Sequence, residues 1–365
     1  MIKILSISNM YPSQKYPHYG IFVEHINEQL NEFNCSVKVL KIEKSDFILK
    51  KIFNYSYLYS MSLLYILFGK FDYIYIHYPA MTGIPVLLAK KIKKNIRIIT
   101  NIHGNDLVPE TKKDEKYISI TKSVIAISEK IIVPSEYFKK IALRAVNNKE
   151  KKIYVYPSGG VDLNIFKNIN KQEACKVLSL NEKFNYIGFI SRIEPNKGWD
   201  LFLKAFKVSF GDDSNYKAII VGEGSEYNDM MKLIKKLNLG GKVILTNFVS
   251  QKIVNYYINV LDLFCFPTKR ESESLGLIGL EAMAAETIVV ASDKFGPSSY
   301  IKDGENGFSF ETNNYKDLSK KMIKANRLTP TQKTELKKNA LITSKKYSKI
   351  KIKYKLAEVV GVNLK

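Results

Sequence analysis

Short apolar runs recur along this chain at near-regular intervals, with amphipathic stretches of helical length between them. The first series occupies residues 2–7, 37–42, 73–77, 96–102, 131–133 and 153–156. Strands that alternate with helices in this way predict a parallel sheet covered on both faces. The series ends at Pro157-Ser158-Gly159-Gly160-Val161-Asp162, a breaker-rich stretch followed by a polar connector to about Phe184. A second series starts at 186–191 and continues through 218–221, 243–245, 263–266 and 288–291, and the tail from Thr329 reads as two lysine-rich helices. The rhythm predicts an α/β chain of two Rossmann-like domains, 1–165 and 166–345; a last helix at about 346–365 is expected to pack back on the first. Doubly wound sheets bind ligands beyond the carboxyl ends of their strands, so two such domains facing each other would form an interdomain cleft. No solenoid repeat or low-complexity linker interrupts the pattern.

Composition agrees with two buried cores: 365 residues with 45% hydrophobic content exclude a disordered chain. The formal charge of +22 invites a nucleic-acid or membrane-surface reading. Residues 1–165 hold 24 basic and 14 acidic side chains, so the excess is spread evenly over the two halves. An even spread reads first as a solvated, lysine-rich surface and second as attraction to an anionic bilayer; no nucleic-acid partner is expected. Cys35, Cys175 and Cys265 are odd in number and far apart, which argues against a disulfide framework or a thiolate metal site and for a reducing compartment. The opening Met1-Ile2-Lys3-Ile4-Leu5 is too short an apolar stretch for a signal peptide and reads as a first strand, so a cytoplasmic protein is expected. Residues 52–69 carry no charge and approach a membrane span in length, but four tyrosines, three serines and an asparagine make a core helix the leading reading and a membrane-surface helix the second.

Chemistry concentrates in two places. In Gly188-Phe-Ile-Ser-Arg192-Ile-Glu-Pro-Asn-Lys197-Gly198, Arg192 leaves the carboxyl end of a predicted strand and Lys197 precedes a helix from about Trp199. The planar fork of Arg and the point charge of Lys suit a diphosphate; two basic loop residues are also often merely solvated. In Glu273-Ser-Leu-Gly276-Leu277-Ile-Gly-Leu-Glu281, Gly276 and Leu277 begin a helix whose free N–H groups and dipole can hold an anion. Carboxylates at Glu273 and Glu281 suit sugar hydroxyls, although acids near a helix start are also an ordinary stabilising feature. Val221-Gly-Glu-Gly224 lacks the third glycine of a dinucleotide fingerprint. His18, His25, His77 and His103 have no zinc spacing, and neither a nucleophile elbow nor a Walker loop occurs.

These two segments together resemble the retaining GT-B glycosyltransferases of family 4, the group 1 type. Tyr19-Gly20-Ile-Phe-Val23, Ile102-His103-Gly104-Asn105-Asp106, Ile132-Val-Pro-Ser135, Pro157 to Asp162 with Phe166, Val221 to Gly224, and Asp303 to Phe308 are similar in order and spacing. The resemblance implies a GT-B fold with an N-terminal acceptor-side domain and a C-terminal nucleotide-sugar domain. It implies that Arg192 and Lys197 bind the donor diphosphate and stabilise the leaving nucleotide, Glu281 the ribose hydroxyls, and Glu273 those of the transferred sugar. Gly276 and Leu277 would give N–H groups to that sugar or the distal phosphate, and His103 would lie against the donor sugar with Asp106 close by. Gly20 would let the first loop approach phosphate or acceptor, and Asn247-Phe248-Val249 would contact the base through its backbone. Two departures stand out: the usual Glu-Gly-Phe-Gly centre is Glu273-Ser-Leu-Gly276, and many relatives carry a glutamate where this chain has Ser299.

The expected activity is therefore retaining transfer of a hexosyl or N-acetylhexosaminyl unit from a nucleotide diphosphate sugar to a glycan or lipid-linked acceptor in cell-surface polysaccharide synthesis. A UDP-sugar is favoured and GDP-mannose is second. No cofactor or metal is expected, because the two basic side chains take the electrostatic role of a metal. An anionic membrane surface is the additional expected partner, and the protein would sit at the inner face of the cell membrane. The competing readings are a GT-B sugar-nucleotide epimerase and a non-catalytic, basic, membrane-associated scaffold.

Overall fold

The computed structural model of the chain describes residues 1–16, 19–146, 152–157 and 159–362; His18 and Ser158 lie outside the described residues. The chain divides into two compact units, residues 1–159 with 350 onward, and Gly160–Lys349. The division falls a few residues before 165 because Val161 already belongs to the second unit. It is fully buried in that unit's core, its N–H donates to the Tyr347 carbonyl at 2.9 Å, and it bridges Ser348.

The first unit runs β1 (Ile2–Ser8), α1 (Ile21–Glu32), β2 (Cys35–Lys41), α2 (Ile48–Phe68), β3 (Tyr73–His77), α3 (Pro79–Ile92), β4 (Ile98–Asn101), α4 (Lys112–Glu115), α5 (Ile118–Ile127), β5 (Lys130–Val133), α6 (Glu136–Ala145) and β6 (Lys152–Val155). Its strands form one parallel sheet in the order β2-β1-β3-β4-β5-β6. Alternate side chains serve opposite faces. Ile4, Tyr73, Tyr75 and Ile99 pack against Ile26 and Leu30 of α1, whereas Leu5, Ile7, Ile74 and Ile76 pack against α2 and α3. The chain goes outward from β1 to β2 and then returns to β3 on the other side, so β1 and β3 bound a topological switch point.

The second unit runs α7 (Lys171–Val177), β7 (Asn185–Ile190), α8 (Trp199–Phe210), β8 (Tyr216–Val221), α9 (Tyr227–Lys236), β9 (Val243–Thr246), α10 (Gln251–Val260), β10 (Leu263–Phe266), α11 (Leu277–Ala284), β11 (Ile288–Ser292), β12 (Phe308–Phe310), α12 (Tyr315–Asn326) and α13 (Pro330–Lys346). Its parallel sheet is ordered β12-β11-β10-β7-β8-β9, with the switch point between β7 and β10. β12 has no counterpart in the apolar pattern: three residues are too few to display a period.

Two segments link sequence to packing in instructive ways. The last helix, α14 (Lys349–Val360), buries Ile352, Leu356, Val359 and Val360 in the core of the first unit, and the Lys130 ammonium donates to the Val359 carbonyl at 2.6 Å near the helix end. α2 is a core helix on one side only. Leu58, Ser62 and Ile66 are buried, while Leu49, Phe53, Tyr57, Leu64 and Phe68 are exposed at spacings that keep them on one stripe. Among the described residues no helix is long and apolar enough to cross a membrane. Because Leu356 is fully buried between α14 and the sheet, Leu356→Ala is expected to destabilise the first unit by about 2–5 kcal/mol, read as a lower urea midpoint with an unchanged slope.

Candidate active site

The switch point of the second unit brings together two loops, one after β7 and one after β10. Asn196 adopts a left-handed φ of 64° and Gly198 one of 84°, which turns the first loop into α8. Gly198 is required sterically as well, since a Cβ there would overlap the Pro267 carbonyl oxygen. This close approach, together with the Lys269 N–H donating to the Asn196 carbonyl at 2.7 Å, locks the loops side by side. Lys197 and Glu273 meet across them: Nζ lies 2.6 Å from Oε2, and only 10% and 12% of the two side chains is exposed. Thr268 Oγ1 donates to the same carboxylate oxygen at 3.3 Å. Burial opposes the charge on Glu273, but the Lys197 ammonium, with Arg270 and Thr268, holds its pKa below the ordinary glutamate value. The carboxylate therefore stays ionised. Oε1 of Glu273 has no hydrogen-bond partner among the described residues, and an ammonium has three donors, so the pair keeps capacity for a ligand.

Gly276 begins α11 with φ 78°, packed so closely on the Phe266 ring that a Cβ would clash. Among the described residues no side chain caps this helix start, so the first N–H groups, that of Leu277 among them, are available to an anion. The Tyr300 hydroxyl donates to the Gly276 carbonyl at 2.9 Å and steadies the turn. Glu281 lies one turn further along α11; its carbonyl accepts from the Ala285 N–H at 3.1 Å, but its side-chain carboxyl has no hydrogen-bond partner among the described residues. Burial pushes its pKa up to about 8, with Lys349 only partly offsetting the rise. Arg192 is exposed and lines a cavity of about 320 Å³ with Ile190, Val221, Phe248, Val249 and Val254. At its rim the Phe248 N–H donates to Glu223 Oε1 at 3.1 Å.

Gly20, His103 and Asp106 belong to the first unit and are also brought together there. Gly20 caps α1 with φ 75° against the Met10 backbone. Phe22 in that helix contacts the His103 ring at 4.6 Å, and Tyr78 stacks on it at 4.7 Å. Asp106 is buried and accepts from the His103 N–H at 3.1 Å and the Gly104 N–H at 2.8 Å; burial outweighs these bonds and lifts its carboxyl to about 7. Asp106 thus shapes the loop that carries His103. Sequence reading missed Thr268, Tyr300 and His77. Nothing near Thr268 or Tyr300 in the chain marks them, whereas His77 stands at the carboxyl end of a predicted strand, where functional side chains collect.

Comparisons with known proteins agree across most of the chain. The family model for glycosyl transferases group 1 matches residues 170–343, and that for glycosyltransferase family 4 matches residues 20–164. The capsular polysaccharide biosynthesis glycosyltransferase CapM of Staphylococcus aureus is 30% identical over 244 residues, covering 64% of this chain and 61% of that protein. An uncharacterized glycosyltransferase of Methanocaldococcus jannaschii is 26% identical over 354 residues, 92% of this chain and 93% of that one. Among solved structures, Anabaena HepE in complex with UDP and glucose superposes with a TM-score of 0.74 at 18% identity, covering 99% of both chains. Sucrose-phosphate synthase from Thermosynechococcus elongatus gives 0.80 at 16% identity, covering 99% and 98%. At these identities the structural likeness speaks to the fold.

A raised carboxyl pKa favours the protonated folded state, so the contribution of Glu281 is present below its ordinary value and is lost as pH climbs through about 8. Glu281→Gln should consequently match the parent protein at pH 5 and exceed it in stability by on the order of 2 kcal/mol at pH 9, measured by urea unfolding at both pH values.

Proposed function

The chain belongs to the group 1 glycosyltransferases with the GT-B fold, and from that premise we propose that it moves a hexosyl or N-acetylhexosaminyl unit from a nucleotide diphosphate sugar, with retention, to a glycan or lipid-linked acceptor of cell-surface polysaccharide. The observation that carries this reading is the buried Lys197–Glu273 pair beside the uncapped start of α11 at the switch point between β7 and β10. Departure of a nucleoside diphosphate builds negative charge on phosphate oxygens. A cation and N–H dipoles already oriented in a water-poor site stabilise that charge without reorganising. Lys197 and Arg192 are assigned to the diphosphate, and the Gly276–Leu277 helix start to the distal phosphate or the sugar. In this reading Glu273 accepts from sugar hydroxyls through Oε1, and Lys197 keeps it ionised for that role.

The cavity beside Arg192 suits the base, with Val249 in its wall, and Glu281 is assigned to the ribose hydroxyls. A UDP-sugar is the favoured donor: UDP occupies HepE, and other similar proteins are named N-acetylglucosaminyltransferases. His103 is assigned a hydrogen bond to ligand, with Asp106 shaping its loop and Gly20 a close backbone approach. The two basic side chains are assigned the charge-neutralising role, so the reading calls for no metal.

Lys197→Ala is expected to lower transfer by at least about 100-fold, measured as nucleotide diphosphate release with acceptor present. Because that change strands the buried Glu273 carboxylate, the double variant Lys197→Ala, Glu273→Gln serves as the folded comparison, with circular dichroism as its check. Near-parental transfer by either would rule out the role of Lys197. Release of an epimerised sugar nucleotide from donor alone would favour the epimerase instead.

An anionic bilayer surface is the partner we assign to α2. The helix packs on α3, which itself carries exposed Ile84, Leu88 and Ile92. Residues 47–105 hold eight basic side chains and the single acid Asp72. Apolar side chains framed by lysine match a leaflet of anionic headgroups over acyl chains. Vesicles with anionic lipid should retain the protein at low salt. The variant Leu49→Glu, Phe53→Glu should lose that retention while keeping its turnover on a soluble acceptor; equal flotation of both proteins would defeat the assignment.

A further inference from the structure

His77 at the end of β3 and His103 in the loop after β4 face each other in the first unit. Their rings stack at 5.3 Å and 20°, with His77 Nδ1 3.1 Å from His103 Nε2. The ladder that pairs His77 with Asn101 sets this approach, because His103 follows Asn101 by two residues. Thr82 Oγ1 donates to the His77 carbonyl at 2.8 Å, and Tyr75 lies against the His77 ring at 4.8 Å. Both imidazoles are held neutral. Burial pushes His103 down to about 3, and burial followed by the neighbouring His103 takes His77 well below the ordinary histidine value.

A neutral pair shares one proton between its facing nitrogens, and the choice dictates the state of the two remote nitrogens. If His103 Nε2 donates, the proton of His77 must sit on its own Nε2. That atom is buried and has no partner among the described residues, so the arrangement strands a donor. If His77 Nδ1 donates, Nε2 is left as a bare acceptor, and unpaired buried acceptors are better tolerated than unpaired N–H groups.

We propose that His77 is a positioning residue whose Nδ1–H donates to His103 Nε2 and so fixes His103 as the Nδ1–H tautomer, presenting a donor at its partly exposed edge. This deepens the reading of His103 as a ligand contact and rests on it for its functional consequence: the ligand atom met there is an acceptor, a hydroxyl or phosphate oxygen. Phe22 and Tyr78 against the His103 ring, and Asp106 on its backbone N–H, hold that edge in place.

The chain has four histidines, so selective ¹⁵N-histidine labelling gives a short spectrum that the His77→Asn variant helps to assign. The long-range ¹H–¹⁵N pattern of His103 should show a protonated Nδ1 and a bare Nε2; the opposite pattern overturns the proposal. Kinetically, His77→Leu should lower kcat/KM for the sugar nucleotide about tenfold, the worth of one hydrogen bond. His77→Asn, whose side-chain N–H can replace Nδ1–H, should recover most of that loss, and equal loss in both variants overturns the positioning role. Full transfer by His103→Ala beside an intact Nδ1–H signal in the parent would instead remove the ligand role of His103 and leave the tautomer assignment standing.

Discussion

The carboxyl edge of the second sheet depends on one constraint: two loops from β7 and β10 must come close enough to bury an ammonium against a carboxylate. A buried carboxylate is tolerable only when paired and hydrogen-bonded, and the Lys197 side chain, 2.6 Å away, holds Glu273 ionised. The contact requires Gly198 to lie against Pro267, which in turn requires a left-handed backbone at the entry to α8. Thr268 serves the same region twice, donating to Glu273 and accepting through its carbonyl from the Ser292 hydroxyl at 2.7 Å. Charge pairing and backbone shape are thus one arrangement, and the uncapped start of α11 opens beside it.

The first unit solves a comparable problem with a different device. Its loop after β4 is shaped by a buried acid, Asp106, that accepts backbone N–H groups instead of pairing with a base. The histidine that this loop carries is held by rings on two sides and by a second imidazole behind it. The unit is completed by α14, whose apolar face covers the sheet. α2 meets two demands at once, burying one stripe on the sheet and leaving another, equally apolar, at the surface.

Much of this was legible along the chain. The strand of residues 263–266 and the helix start at Trp199 coincide with the expectation, because apolar runs bounded by turn residues carry their own register. The short β12 was not legible. Neither was the half-exposed character of α2: a continuous uncharged stretch gives no clue to which side meets the sheet when both sides are apolar. In the site, Arg192, Lys197, Glu273, Gly276 and Glu281 stand out by spacing and residue type. That Lys197 and Glu273, read as serving different parts of a ligand, are each other's nearest charged partner was not, since 76 residues separate them.

The sequence by itself determined the parallel α/β architecture, the two-domain rhythm and the residue types gathered at the strand ends, because these follow from local periodicity and backbone propensity. Tertiary structure decided which of those residues meet and in what state of charge. Glu273 is held ionised by a lysine from a distant loop, while Glu281, eight positions along the chain, is pushed toward its neutral form by burial that Lys349 offsets only in part. Two identical side chains near one helix start diverge because desolvation and Coulomb energy depend on neighbours in space, and no pattern along the chain encodes those neighbours directly.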